Sequence, residues 1–124
     1  MPLAEDITTS RHRISAYEAD SITVNETTYR QSLILSAEQI ICPWAVKTLT
    51  QLDSDNLQPV LSQSPEVVLL GTGLRQKFPD SRIVALFGAR GIGLEVMDNG
   101  ALCRTFNILV AEDRAVVAAV LFGS

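Results

Sequence analysis

A short apolar run that ends at two glycines, EVVLLGTG over Glu66–Gly73, constrains the fold most strongly. The run is rich in Val and Leu without alternation, which is typical of a strand buried on both faces of a parallel sheet. Gly71 and Gly73, on either side of Thr72, predict a tight turn whose backbone can approach another group closely. The stretch therefore places the chain in the α/β class and marks this turn as a candidate site.

The composition of the chain excludes several classes of function. Its 124 residues fit one domain, and a hydrophobic content of 47% suffices for a core. The net charge is −4, and Arg11-His12-Arg13 is too short a basic cluster for a nucleic-acid binder. One histidine and two separated cysteines, Cys42 and Cys103, do not form a metal-ligand set. We expect no nucleic-acid partner, no metal and no cofactor.

The N-terminal residues carry early acidic side chains and no apolar segment of the kind found in secretory signals. No apolar run reaches the roughly 20 residues that a membrane-spanning helix needs. We therefore expect a cytoplasmic protein without a membrane span. Residues 1–12 are polar and predict a flexible arm, and residues 13–124 predict a single α/β domain.

The first half of the chain has the pattern of an antiparallel meander. Alternating or apolar segments rich in β-branched residues occupy Arg13–Tyr17, Ser21–Val24 and Thr28–Leu35, and Asn25-Glu26 suits a tight hairpin turn. Ile40-Ile41 predicts a further short strand. The cluster around Asp55 or Asn56 predicts an N-cap for a short helix that places Pro59 in its first turn and runs to about Gln63.

The second half of the chain alternates strands and helices. In chain order the pattern predicts a strand at Val67–Leu70, a short helical piece ending at Pro79, a helix over Arg82–Arg90, a strand at Gly93–Met97, a helix from Asp98 to about Val110 and a strand at Ala115–Phe122. Linkers this short imply parallel crossovers. The sequence thus predicts a three-layer α/β fold. Its mixed sheet would join an N-terminal antiparallel meander to a C-terminal parallel β-α-β-α-β part.

The Gly71-Thr72-Gly73 turn resembles the opening of a dinucleotide fingerprint, but the third glycine would fall at Gln76. Two interpretations of this turn remain: a structural turn at the exit of the strand, or a site of contact with a small anion or a peptide. Because parallel strands align their carboxyl ends, this turn and Asp98-Asn99 should lie at the same edge of the sheet. Open α/β sheets usually place their sites at that edge.

Three other residues have a structural and a functional interpretation. Cys103 falls on the apolar face of its helix without a neighbouring base, which favours core packing over nucleophilic catalysis. Asp98 stands where an N-cap is needed, and a general acid/base pair with Glu95 is the alternative. Trp44, the sole tryptophan, is expected to plug the core or its rim, with a binding anchor as the alternative. We predict no catalytic residue.

Three segments carry a resemblance to a known family: SLILS…PW, VVLLGTG and ARGIGLEVMDNGALCRTFNILVAEDRAVVAAVL. They resemble the small α/β domain of unknown function found in bacterial and archaeal hypothetical proteins and in the mitochondrial NADH:ubiquinone oxidoreductase complex assembly factor 3. The resemblance spans about Arg13 to Phe122. On matching positions, the family motif comprises Leu70, Gly71, Thr72, Gly73, Glu95, Met97, Asp98, Arg104, Thr105 and Asn107. The resemblance implies a three-layer fold and, for the mitochondrial members, assembly through protein–protein contacts.

Two hypotheses for function follow. The first is a non-catalytic protein-interaction module that assists assembly of a protein complex through an unidentified protein partner, with homo-oligomerisation left open. The second is a binder of a small anionic metabolite, or an uncharacterised enzyme, that uses the Gly71-Thr72-Gly73 edge. The candidate ligand- or partner-binding residues are Gly71, Thr72, Gly73, Asp98, Arg104 and Asn107.

Overall fold

The computed structural model describes residues 11–123, and within this range the chain forms eight strands, three α-helices and one 3-10 helix. The strands are β1 (Ile14–Glu18), β2 (Ser21–Val24), β3 (Thr27–Tyr29), β4 (Leu33–Ser36), β5 (Ile40–Ile41), β6 (Val67–Gly71), β7 (Gly93–Met97) and β8 (Val116–Val120). The helices are the 3-10 helix Leu49–Gln51, α1 (Gln58–Leu61), α2 (Ser81–Ala89) and α3 (Asn99–Ala111).

These strands form two sheets. The first is an antiparallel meander of β1, β2 and β3, and the second has the order β5-β4-β8-β6-β7. In the larger sheet β6 pairs in parallel with both β7 and β8, whereas β4 is antiparallel to β8 and to β5. Every residue of β6 and β8 is buried, because both strands have a neighbour on each side and a layer on each face. Their apolar, non-alternating sequences match this position.

The core lies on both faces of the larger sheet. On one face, α3 and the meander pack against β4, β6 and β8 through residues such as Ile22, Leu69 and Phe106. On the other face, α1, α2 and the segment after β5 pack through residues such as Trp44 and Phe87. The molecule therefore has three layers, and the three-layer α/β class with an antiparallel N-terminal part and a parallel C-terminal part is confirmed. The meander forms a sheet of its own, however, and the mixed sheet takes its antiparallel strands from β4 and β5, which differs from the single joined sheet that the sequence predicts.

Three details of the sequence prediction are wrong. The segment Thr28–Leu35 is two strands in different sheets, separated where the Ser32 carbonyl accepts from the Trp44 N–H at 2.8 Å. Neither Asp55 nor Asn56 caps α1: Asn56 and Asp53 bond each other's backbone N–H instead, and Leu57 takes the N-cap position. Residues 74–79 form no helix, because local side-chain hydrogen bonds hold them as a loop.

Most of the expected N-terminal arm, residues 1–10, lies outside the described residues. Its last two residues contact the domain. The His12 N–H donates to the Ala37 carbonyl at 2.8 Å, and His12 Nδ1 lies 2.9 Å from the Ser36 carbonyl. The Arg11 guanidinium pairs with Asp113 at 2.7 Å and donates to the Val110 carbonyl at the end of α3. Cations are stabilising at this end of a helix.

The two cysteines differ in exposure. Cys103 is buried on α3, and burial raises the pKa of its thiol to about 11. Cys42 is half-buried, and burial raises the pKa of its thiol as well. Cys103 is therefore a packing residue, as its position on the apolar helix face predicts.

We expect a thiol reagent at about pH 8 to label Cys42 in the native protein much faster than Cys103, because the thiolate reacts and must be accessible. The variant Cys42→Ser retains Cys103 as its single thiol and should resist labelling until the protein is unfolded in denaturant. Rapid native labelling of Cys42→Ser would contradict the buried position of Cys103.

Candidate functional site

The Gly71-Thr72-Gly73 turn lies at the carboxyl ends of the parallel strands. Gly71 pairs with Met97 of β7 and with Val120 of β8, so three strands end side by side. A side chain at Gly71 would collide with the Asn99 side-chain oxygen and with Leu102 Cδ1, at 2.9 Å. Glycine at this position therefore lets the first turn of α3 approach β6 closely.

Gly73 and Thr72 form the tight turn that the sequence predicts. Gly73 has a φ of +97°, and a Cβ there would meet the Phe122 carbonyl oxygen at 3.4 Å. The Thr72 hydroxyl is buried, donates to the Arg75 carbonyl at 2.5 Å and accepts from the Lys77 N–H at 3.0 Å. The hydroxyl thus orders the loop that follows and is already engaged within the fold.

Asn99 connects three elements at this edge. Its Oδ1 accepts from the Gly73 N–H at 3.2 Å, and its Nδ2 donates to the Leu121 carbonyl at 2.9 Å. Its own backbone N–H donates to the Gly73 carbonyl at 2.9 Å. Asn99 is buried, at 7% exposed, and sequence reasoning gave it no role of its own at this edge. The sequence signal for its connecting role was a polar amide in the first turn of α3, at the edge where a glycine turn leaves backbone N–H groups without strand partners.

Asp98 is the N-cap of α3. Its Oδ1 accepts from the Ala101 N–H at 2.9 Å, which satisfies one of the free donors of the first turn. Asp98 also lines a cavity of about 270 Å³, together with Tyr17, Leu74 and Gly100, between the meander and the glycine turn. The structural interpretation of Asp98 as a cap is confirmed.

The other two candidates lie further along α3. Arg104 is exposed, and Asn107 is half-buried against β1. Asn107 accepts from the Ile14 N–H and donates to the Ile14 carbonyl, both at 2.8 Å, so it fastens the meander to the helix. A helix rises about 1.5 Å per residue, so Asn107 lies roughly 13 Å from Asp98. The structure brings Gly71, Thr72, Gly73 and Asp98 together and leaves Arg104 and Asn107 apart.

A loop that sequence reasoning missed projects from the glycine turn. We define the Leu74–Phe78 loop as residues 74–78, LRQKF, all of them exposed. Leu74 is 76% exposed and Phe78 72% exposed, and Arg75 and Lys77 lie between them. Gln76 Nε2 donates to the Val96 carbonyl at 2.8 Å and, with the Thr72 bonds, fixes the backbone. The loop therefore presents two apolar side chains and two cations to solvent.

Residues 11–123 contain no cluster of three or more His, Cys, Asp or Glu side chains that could hold a metal ion. Within the same range, no helix is both long and apolar enough to cross a membrane. At the carboxyl edge, the titratable candidate Asp98 already serves as a helix cap. The described side chains at this edge therefore build a tight turn and an exposed loop, and they are not arranged as an acid–base pair.

Residues 14–121 match the model of a family described as "Protein of unknown function (DUF498/DUF598)". The chain belongs to this family. It is similar to a "13 kDa major membrane protein" of Francisella tularensis, with 30% identity over 75% of this chain and 76% of the relative. It is also similar to the Xenopus tropicalis NADH dehydrogenase [ubiquinone] 1 alpha subcomplex assembly factor 3, with 32% identity over 77% of this chain. The chain spans only 59% of that assembly factor's length.

Solved structures agree on the fold. The NMR structure of a Xanthomonas campestris protein is 39% identical, with a TM-score of 0.87, over 99% of this chain and 93% of that one. The crystal structure of an outer membrane protein from Bartonella henselae is 30% identical, with a TM-score of 0.79, over 90% of this chain and 95% of that one. The family resemblance drawn from the sequence is confirmed.

Replacement of Asn99 tests its connecting role. We expect Asn99→Ala to lower the free energy of unfolding by about 2 kcal/mol, because the buried Gly73 N–H and Leu121 carbonyl lose their partners. Asn99→Asp should not restore stability, since a carboxylate cannot donate to the Leu121 carbonyl. Urea denaturation measures both. Parent-like stability of Asn99→Ala would contradict this role.

Replacement of Asp98 separates capping from a role in a site. Asp98→Ala should cost about 1 kcal/mol of stability, and Asp98→Asn should recover most of it because Asn caps nearly as well. Thermal melts of both variants, read beside a partner-binding assay, provide the measurement. If Asp98→Ala melts like the parent while Asp98→Asn loses binding, the side chain serves a site and not the helix.

Proposed function

We propose that this chain is a non-catalytic protein-interaction module that assists the assembly of a protein complex. The observation that carries the proposal is the ordered Leu74–Phe78 loop, with Leu74 and Phe78 largely exposed. Membership of a family whose relatives include proteins named as complex assembly factors supports it. In this proposal the protein acts in the cytoplasm by binding a partner chain.

The energetics of the loop favour a binding role. Leu74 and Phe78 add little to the core of this fold, because most of their surface is in contact with solvent. Burial of such a side chain against a partner contributes roughly 1.5–3 kcal/mol. The loop backbone is already ordered by Thr72 and Gln76, so binding would not have to fix it. A preorganised segment loses less entropy on association than a flexible one.

The charge of the loop indicates the kind of partner. Arg75 and Lys77 lie between the two apolar residues, although the chain as a whole carries a net charge of −4. A partner surface with an apolar recess and an acidic rim would complement this arrangement. Charges at an interface rim mainly guide association and specificity, whereas buried apolar anchors supply most of the affinity.

The second hypothesis, a small anionic metabolite or an uncharacterised reaction at the Gly71-Thr72-Gly73 edge, has weaker support. The Thr72 hydroxyl is engaged with the Arg75 carbonyl and the Lys77 N–H. The Gly73 N–H is engaged with Asn99. A ligand at this turn would have to displace these bonds, at the cost of the order they give to the loop.

Affinity capture with a matched pair of variants tests the proposal. The double variant Leu74→Ala/Phe78→Ala removes the apolar side chains of the loop. Ile108→Ala removes another exposed apolar side chain, 56% exposed, on the outer side of α3. We expect a defined partner to co-purify from native lysate with the parent and with Ile108→Ala. The recovered amount of this partner should fall by at least about tenfold with the double variant.

Two further measurements control this experiment. Thermal melts should show parent-like stability for both variants, since exposed substitutions change stability little. Size-exclusion chromatography of the purified protein at several concentrations reports any self-association. Equal recovery of every specific partner by the folded double variant would contradict a binding role for the loop.

A further inference from the structure

A pocket of about 320 Å³ lies beside the carboxyl end of β8 and shares no lining residue with the Asp98 cavity. We call it the Trp44 pocket. Its apolar lining comes from Pro43, Trp44 and Phe122, and its charged lining residues are Arg30 and Lys47. Phe122 lies two residues after the end of β8, and the pocket residue Ser32 directly precedes β4, whose Leu33 pairs with Val120. The pocket thus lies at the edge where open α/β sheets usually bind ligands.

The walls of the pocket are held by hydrogen bonds. The Ser32 hydroxyl is buried and shares its single proton between the Trp44 carbonyl, at 3.1 Å, and the Val46 carbonyl. The Trp44 indole N–H donates to the Asn56 carbonyl at 2.9 Å. The N–H groups of Lys47 and Thr48 both donate to Gln51 Oε1, at 2.7 Å and 3.1 Å. A preformed pocket of this kind loses little entropy when it binds a ligand.

The charge of the pocket is opposite to that of the protein. Among the described residues that line the pocket, Arg30 and Lys47 are charged and none carries a carboxylate, whereas the whole chain has a net charge of −4. Arg30 does pair with Asp20 at 3.6 Å, but both side chains are mostly exposed, at 68% and 77%. Exposed pairs of this kind contribute little, so the guanidinium remains available to an anion.

We propose that the Trp44 pocket binds a small molecule with an apolar body and a carboxylate. The apolar body would lie against Trp44, Pro43 and Phe122, while Arg30 and Lys47 at the mouth hold the carboxylate. An arginine guanidinium matches a carboxylate with two parallel hydrogen bonds, and a lysine adds a point charge. The volume is near the lower end of the ~300–1,000 Å³ of ligand pockets, which suits a small ligand. The proposal is independent of the Leu74–Phe78 loop.

Trp44 is the sole tryptophan of the chain, so its fluorescence reports on this pocket. We would titrate the full chain with octanoate below its micelle concentration and, for comparison, with octylamine, which has the same apolar body and the opposite charge. Octanoate should change the emission in a saturable manner, and octylamine should bind at least about tenfold more weakly. Amide chemical shifts of Thr48 and Gly123 give a second readout of the same binding.

Two double variants with equal changes in net charge sharpen the test. Arg30→Gln/Lys47→Gln should weaken octanoate binding by about tenfold or more. Arg82→Gln/Arg90→Gln removes two exposed cations at the ends of α2 and should bind octanoate like the parent. Equal affinity for octanoate and octylamine, or equal binding by the two double variants, would overturn the proposal.

A peptide distinguishes a free carboxylate from the C-terminus of a protein. A short apolar peptide with a free C-terminal carboxylate would be titrated beside the same peptide with a C-terminal amide. Binding of octanoate with neither peptide bound supports the small-molecule proposal. Carboxylate-dependent binding of the peptide without any binding of octanoate would overturn it and indicate a protein C-terminus as the occupant. No response to octanoate by either readout would overturn it as well.

Discussion

The close approach of α3 to the ends of β6 and β8 is the constraint on which this structure depends. Gly71 provides the room, because any side chain there would collide with Asn99 and Leu102. Asn99 then bonds the Gly73 N–H on one side and the Leu121 carbonyl on the other. Two parallel strands with all residues buried leave their last backbone groups unpaired unless such a partner exists. One amide side chain supplies a donor and an acceptor in a single plane.

This arrangement sets the positions of the Leu74–Phe78 loop and of the Trp44 pocket. Gly73 has a positive φ, which turns the chain after β6. The hydrogen bonds of Thr72 and Gln76 then hold residues 74–78 in an exposed loop. On β8, the chain continues through Leu121 to Phe122, which lines the Trp44 pocket. The loop and the pocket therefore both originate at the carboxyl edge of the sheet. A change at Asn99 would disturb both, whereas changes at Phe78 or Arg30 would each affect one.

How much the sequence predicts depends on whether the information is local. Val67–Leu70 and Ala115–Phe122 are apolar without alternation, which indicates buried parallel strands, and Asp98 before an amphipathic segment indicates a helix cap. The break between β3 and β4 follows instead from a bond between Ser32 and Trp44, which no local pattern encodes. The same holds for Asn107, which bonds Ile14 across 93 positions of sequence. Local sequence patterns do not predict site residues that are joined only through tertiary contacts.

The charges on the Leu74–Phe78 loop bear on which kind of association the fold favours. An exposed leucine and phenylalanine on an ordered loop would promote self-association of any protein that presents them. Two copies of this loop would, however, bring Arg75 and Lys77 against the same cations, and like charges at an interface disfavour that pairing. The net charge of −4 on the whole chain also repels a second copy. The cations therefore act against loop-to-loop pairing, and under the proposed function they would complement an acidic partner of a different kind.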